Sequence, residues 1–448
     1  MSAYVKRIFS YFMLSALFVL PVLLSVLNLN RILSILLCLL LAVFFITYNI
    51  FPAMFQPKHE QHRLNILRGG YECMLASFVC FLCVVVVSIM AFTGFFGTLS
   101  GITLIMNLAV GIALLLILLI NGIIRIFLTS SQTGITAKIL LIFCWWVPII
   151  NIILLRKICI TAGAEYSFRT HRISLNKSRK NEQVCNTRFP ILLVHGVFFR
   201  DWSAFNYWGR IPRELEQNGA VLHYGNHQSS KSVEESGQEI ADCIKRIVKE
   251  TGCGKVNIIA HSKGGLDCRY AISQLGIGQY TASLTTINTP HFGCNYARRL
   301  MEIVPEKTIA AIGNKYDALY SKLGDEAPDF LSGLSSLTDT ECARLNLLMP
   351  DEPGVLYQSV GSVMSSPLSA IFPLNVGYGI IKPIEGDNDG LVSVKSMKWG
   401  KFLGVVSPKG KYGISHADMI DLLRKDVEGF DVCEFYIDLV NGLKEMGL

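Results

Sequence analysis

The sequence predicts a two-part chain: an all-α transmembrane helical block followed by an α/β domain with a mostly parallel sheet. Apolar residues gather in uninterrupted runs before about residue 157. They lift the mean hydropathy to +0.42, high for a soluble protein. Beyond that point short apolar runs alternate with amphipathic stretches, the pattern of strands and helices that build a parallel sheet covered on both faces. The 448 residues suffice for two or three units of ordinary domain size. The expected division is 1–157 as the helical block, 158–188 as a basic linker and 189–448 as the α/β domain.

Five apolar stretches are candidate spans: Ile8–Asn28, Ile32–Phe55, Cys73–Phe96, Ile102–Ile124 and Ile139–Leu155. A hydrocarbon core of roughly 30 Å needs about 20 helical residues. The first four meet this; the fifth is shorter and contains Pro148. A cleaved signal peptide is a poor account of the first run, because another span follows within a few residues. Asn107 and Asn121 are the clearest polar groups, and no acid, lysine or arginine lies within these limits to mark a transport path. The block therefore reads as an anchor or scaffold.

Five spans place the two ends of the block on opposite sides. Lys6, Arg7, Lys58, Arg63, Arg68, Arg125 and Lys138 share the N-terminal side, against Arg31 on the other. Positive residues favour the cytoplasm, so the α/β domain is expected on the non-cytoplasmic side of a cell membrane. Arg156, Lys157, Arg169 and Arg172 oppose that reading.

The formal charge is +7, yet no long lysine/arginine block appears, so no nucleic-acid partner is expected. The basic residues near span ends and from Arg156 to Arg188 suit anionic membrane lipids. Of thirteen cysteines, six lie at or before Cys159 and seven beyond it. The tight pair Cys80 and Cys83 sits in an apolar run, where two small core residues are the expected reading. No metal or other cofactor is called for, and oligomeric state is left open.

The α/β domain opens with a buried strand at Ile191–Val194. A helix over Trp208–Asn218, a strand over Val221–Tyr224 and a helix over Val233–Thr251 are expected next. A strand over Lys255–Ala260, a helix over Lys263–Gln274 and a strand over Ala282–Ile287 follow. In "VNIIAHSKGGLDCRY" a strand runs straight into a helix with Ser262 at the corner. That is the geometry of a nucleophile elbow, where neighbours must be small. Gly264 and Gly265 satisfy this after the serine, and Ala260 stands where a glycine is usual. The backbone N–H of Lys263 would face a developing oxyanion, and the loop "VHGVFFRD" offers Val197 as a second donor. His195 reads as structural.

Chain order in such sites runs nucleophile, acid, base. Only His291 and His416 follow Ser262; His291 comes too soon to leave room for an acid-bearing strand, so His416 is the candidate base. The acid should lie in "EGDNDGLVS", where spacing favours Asp389 mildly over Asp387.

With these motifs in order, the chain from about Pro190 to its C-terminus resembles the pseudomonad-type bacterial triacylglycerol lipases, which have the α/β-hydrolase fold. The resemblance is densest in "ILLVHG", "KVNIIAHSKGGLDCRY", "TTINTPHFG", "NDGLVS" and "SHAD". It implies a catalytic set of Ser262, Asp389 and His416, with Val197 and Lys263 as oxyanion donors. Ala260 and Lys263 replace the commoner Gly and Gln. Relatives hold a calcium through two aspartates; Asp418 matches one, and no acid between Ser362 and Lys382 matches the other. Residues 297–337 would form a lid, with Leu300, Met301, Ile303 and Val304 as an apolar patch. The helical block lies outside the resemblance. The expected function is a membrane-anchored carboxylic-ester hydrolase, a lipase on acylglycerols. A phospholipase, a short-chain esterase and a non-catalytic membrane scaffold are the alternatives.

Overall fold

In the computed structural model the chain is described over residues 3–197, 206–294, 298–299, 302, 305–322, 328–407 and 412–448. It divides into two compact units, Met1–Ser174 and Leu175–Leu448.

The first unit is helical: α1 (Ala3–Phe18), α2 (Leu20–Leu27), α3 (Arg31–Ile50), α4 (His62–Phe92), α5 (Gly101–Thr129), α6 (Ile135–Phe143) and α7 (Pro148–Arg179). Asn30 caps α3 and Ser100 caps α5, each accepting a backbone N–H from the first turn. Apolar faces of α3 and α5 lie outward: Leu39, Leu40, Ile105 and Ile112 are all exposed. Between α4 and α5 the contact runs through small residues. A Cβ on Gly70 would stand 2.9 Å from Gly122 O, and one on Gly122 would stand 3.1 Å from Gly70 O. Helices in lipid approach closely through such positions because no hydrophobic drive holds them together.

Among the described residues, only α3, α4 and α5 are individually long and apolar enough to cross a membrane; α1 and α2 add a fourth if their 82° bend lies within one span. This corrects the expectation of five. The stretch Ile139–Leu155 is broken after Phe143 and resumes at Pro148, the proline that opens α7. Much of the basic stretch expected as a linker is helical, since α7 continues through Ile158 as far as Arg179. Glu165 ties this helix down: its buried carboxylate accepts from Ser130 Oγ (2.7 Å), Ser131 Oγ (2.8 Å), two backbone N–H groups and Arg63.

Helix α4 starts earlier than the apolar run that signalled it, and so takes in Glu72. That side chain is buried, 2.9 Å from Arg7 Nε and 3.0 Å from the Tyr11 hydroxyl. Arg7 and Glu72 both lie just outside the apolar limits read from the sequence, and the two ions neutralise each other.

Among the described residues the second unit carries six parallel strands: β1 (Ile191–Val194), β2 (Leu222–Tyr224), β3 (Val256–His261), β4 (Thr281–Ile287), β5 (Leu356–Ser362) and β6 (Lys401–Val406). Their order is β2-β1-β3-β4-β5-β6. Central strands β1, β3 and β4 are buried throughout, while edge strand β6 alternates exposed and half-buried residues. The helices are α8 (Ile211–Gln217), α9 (Val233–Thr251), α10 (Gly264–Gln274), α11 (Glu306–Lys322), α12 (Phe330–Ser335), α13 (Asp339–Leu348), α14 (Leu374–Glu385) and α15 (Val432–Glu445).

Helix α9 shows how sequence sets an element. Ser232 accepts from Glu235 N at its start, Glu234 and Glu235 face the positive end, and Gly252 stops it in the left-handed region at φ 67°. Ile240, Ile244 and Ile247 bury one face beside Leu192 and Ile258 of the sheet. Each such side chain contributes about 1.5–3 kcal/mol. On the other face Trp208 and Ile211 pack with Tyr436 and Val440 of α15.

The α4–α5 contact makes a testable prediction. Gly70→Val should lower the stability of the detergent-solubilised chain by about 1–3 kcal/mol, as overpacking does. Gly134→Ala, where an added Cβ meets nothing within 4 Å, should leave the melting temperature unchanged.

Candidate active site

Strand β3 ends at His261 and α10 begins at Gly264, leaving two residues to turn the chain. Ser262 turns it with φ 56°, the left-handed region that a serine enters only at a cost of about 1–3 kcal/mol. The corner is pinned from both sides: Ser262 N donates to Ile287 O at 2.9 Å, and Ser262 O accepts from Gly265 N at 3.1 Å. It also forces small neighbours. A Cβ on Gly196 would lie 2.6 Å from Ser262 Cβ, and one on Gly264 would lie 2.4 Å from His195 O. The loop after β1 and the start of α10 therefore touch backbone to backbone.

Asp389 and His416 are brought together from separate loops. Asp389 Oδ2 is 2.6 Å from His416 Nδ1, and His416 N donates to Asp389 O at 2.9 Å. The fully buried carboxylate accepts two further bonds on Oδ1, from Leu391 N (2.9 Å) and Val392 N (2.8 Å). It is thus held in orientation from three directions. Asp387, its rival by spacing, is 67% exposed and lies 2.6 Å from Lys382. Asp418 Oδ2 accepts from Ser415 N (2.9 Å) and Ser415 Oγ (2.6 Å), which folds the turn that carries His416.

The ring of His261, immediately before the serine, packs on the ring of His416 with centroids 4.5 Å apart. The Tyr207 hydroxyl reaches both walls: it lies 2.7 Å from His261 Nδ1 and accepts from Gly196 N at 3.1 Å. Burial, and then the neighbouring His416, push the His261 imidazole well below its usual range, so it stays neutral. Neither residue was legible as part of the site. His261 precedes the serine, where the order nucleophile, acid, base puts no member of a triad, and Tyr207 carries no motif.

Val197 follows Gly196 in a half-buried turn at the end of β1. Lys263 is the residue before α10, and its side chain is fully buried. His195 is buried and stacks on His227 with centroids 4.3 Å apart. His291 stands apart from the pair, 3.0 Å from Thr286 Oγ1 and stacked on Trp399. The lid residues Leu300, Met301, Ile303 and Val304 lie outside the described residues. Among the described residues no group of three or more His, Cys, Asp or Glu side chains could hold a metal ion.

Residues 214–314 match the family described as "Putative serine esterase (DUF676)". The chain is 33% identical over 293 residues to a triacylglycerol lipase of Pseudarthrobacter phenanthrenivorans, covering 53% of this chain and 90% of that one. It is 29% identical over 287 residues to the triacylglycerol lipase of Vibrio cholerae, covering 58% of this chain and 89% of that one. Among solved structures it is similar to a Bacillus licheniformis lipase in mature form (TM-score 0.43, 19% identity, 56% of this chain and 91% of that one). A strained serine at a strand–helix corner of a parallel sheet, in a chain with these relatives, defines a serine ester hydrolase with an α/β-hydrolase domain. The chain belongs to the triacylglycerol lipase family.

The buried imidazoles set a pH dependence. His195, His261 and His291 are each pushed well below 6.5 by burial, with charged or imidazole neighbours adding to it. The unfolded chain takes up these protons first as pH falls, so the stability is full above about 6.5 and is lost below it. Each group contributes a slope of up to about 1.4 kcal/mol per pH unit. Unfolding at pH 5.5 should take up more protons than at pH 7.5, and His291→Gln should reduce that uptake by close to one.

Proposed function

We propose that the chain is a membrane-anchored lipase in which Ser262, His416 and Asp389 form the catalytic triad. The observation that carries this is the 2.6 Å Asp389–His416 pair, whose imidazole lies against the residue preceding Ser262. Ser262 Oγ attacks the acyl carbonyl and His416 takes its proton. Asp389 orients the ring and stabilises the imidazolium, and the N–H groups of Val197 and Lys263 receive the oxyanion. His416 then protonates the leaving alcohol, and water clears the acyl-enzyme by the same steps in reverse. The organisation is an anchoring helical block, helix α7, and the hydrolase domain.

A long-chain acylglycerol fits better than a small soluble ester. From Gly354 to Ile381 the chain has no charged residue, and within it Leu368, Ile371 and Phe372 are 83%, 57% and 75% exposed. This segment is tied to both loops of the pair, through Met364 N to Asn388 O and Ser365 N to Tyr412 O. An apolar rim beside the site is the surface an acyl chain or a lipid layer would meet.

The corrected span count changes the expected orientation. With three spans, or four, Lys58, Arg63, Arg68, Arg125, Lys138, Arg156 and Lys157 all fall on the side of the hydrolase domain. On the other side the α4–α5 loop has no charge, and Arg31 stands there alone with four spans or with Lys6 and Arg7 with three, so the seven still outnumber them. Positive residues favour the cytoplasm, so the hydrolase domain faces the cytoplasm. Protease added to intact cells should leave the domain untouched until the membrane is opened; release from intact cells would reverse the orientation.

Ser262→Ala should remove about six orders of magnitude in turnover and leave the protein folded and in the membrane. Asp389→Asn should damage turnover far more than Asp387→Asn at matched melting temperature. Comparing long-chain acylglycerols, phospholipids and a butyrate ester in one preparation ranks the substrate classes. Equal turnover of all three would remove the acylglycerol assignment, and near-wild-type activity of Ser262→Ala would remove the mechanism.

A further inference from the structure

Behind the serine corner lies a buried charged network that the acyl-transfer steps do not use. Lys263 is fully buried although its side chain is an ammonium. Its Nζ donates to Asp267 Oδ1 (2.7 Å), to Ser236 Oγ (3.0 Å) and toward Ser232 O (3.5 Å). Asp267, one turn on in α10 and also fully buried, returns a backbone bond from its N–H to Lys263 O at 3.1 Å. Lys263 is therefore stapled to α10 by both side chain and main chain.

The other carboxylate oxygen of Asp267 leads out of the helix. Oδ2 stands 3.4 Å from His227 Nε2. The His227 ring stacks on His195 at 4.3 Å and 21°. His195 begins the turn that delivers Gly196 and Val197, and its carbonyl rests against Gly264. The path runs from the residue after Ser262, through two fully buried ions and two stacked imidazoles, to the loop after β1. Its two ends are the backbone segments that carry the two oxyanion donors. Ordinary helix capping at this corner would need none of these groups. A lysine taken wholly out of water carries a heavy desolvation penalty that packing alone would avoid.

We propose that Lys263, Asp267, His227 and His195 form a positioning brace that fixes the N–H groups of Lys263 and Val197 relative to each other, so that both meet one oxyanion. The brace presupposes the catalytic role of Ser262 and the two donors. None of the four side chains touches substrate; each acts through the backbone it holds. Displacement of a reacting geometry by about 1 Å costs up to about 100-fold in rate, and outright loss of one donor costs about 100- to 1000-fold. Loosening the brace should fall at or below the first figure and should act on turnover, not on ground-state binding.

The test uses the full chain in detergent micelles with a butyrate ester and its thiono counterpart. Sulfur is a weak hydrogen-bond acceptor, so an intact oxyanion site favours the oxygen ester strongly and a loosened one favours it less. Asp267→Asn is expected to lower kcat by about 10- to 100-fold, keep KM within about threefold, and shrink the oxygen-to-sulfur rate ratio. Asp267→Asn leaves Lys263 charged and buried without its counter-ion, which could unfold the protein for trivial reasons. The paired variant Lys263→Met with Asp267→Ala removes both charges without overfilling the site, and at temperatures below its own melting point it should show the same losses. His227→Leu, which removes the stack and leaves the ion pair intact, should reproduce the reduced ratio. Wild-type kcat and ratio in the paired variant or in His227→Leu would overturn the brace. A fall in rate with an unchanged ratio would overturn it too, since that is the mark of general damage. Activity surviving Ser262→Ala would instead bring down the catalytic reading itself, a failure that the ratio measurement does not produce.

Discussion

The left-handed turn at Ser262 is the constraint on which the hydrolase domain is built. A serine at φ 56° is unfavourable unless its surroundings over-determine it. Here the buried strand β3 delivers it, α10 leaves it, and β4 holds its N–H. The need for space at that corner then dictates glycine at 196 and 264 and brings the β1 loop into backbone contact with the helix start. Because β1, β3 and β4 are neighbours in the sheet, everything the corner requires comes from adjacent strands. Strain at one residue is thus supported by the most deeply buried part of the fold.

Much of this was legible. Strand β1 and helix α9 lie where the apolar pattern placed them, because a continuous apolar run and an amphipathic stretch of helical period have few other uses. Strands β5 and β6 were not read: β5 is "LYQSVGS", polar at half its positions, and β6 is an edge strand whose pattern a glycine interrupts. Buried polar strand residues are satisfied by partners distant in sequence, as Gln358 Nε2 is by Thr285 Oγ1, and no local window sees that. The same holds at the site. Asp389 and His416 sit in recognisable motifs, whereas Tyr207, His227 and His261 make contacts that only the tertiary fold creates.

In the helical block, hydropathy identified apolar content correctly and misjudged boundaries and breaks. A run of 17 residues looks like a short span, yet one helix stops within it at Phe143 and a proline opens the next at Pro148. Conversely α4 runs past the polar residues at which an apolar window stops, since Arg63 and Glu72 find partners inside the block. Helix length in a membrane protein follows from where backbone groups are satisfied, and side-chain polarity is a guide only where those side chains lack partners.

The Arg7–Glu72 pair bears on how the block assembles during synthesis. The two residues are 65 positions apart, one in the first helix and one in the fourth. Translation at about 5–20 residues per second leaves an interval of about 3 to 13 seconds in which Arg7 exists and its counter-ion does not. Through that interval Arg7 lacks the buried carboxylate it pairs with in the folded block. Helix α1 can therefore make this pairing only once α4 has been synthesised. Its final position is decided by a partner that emerges from the ribosome only after α3 is complete.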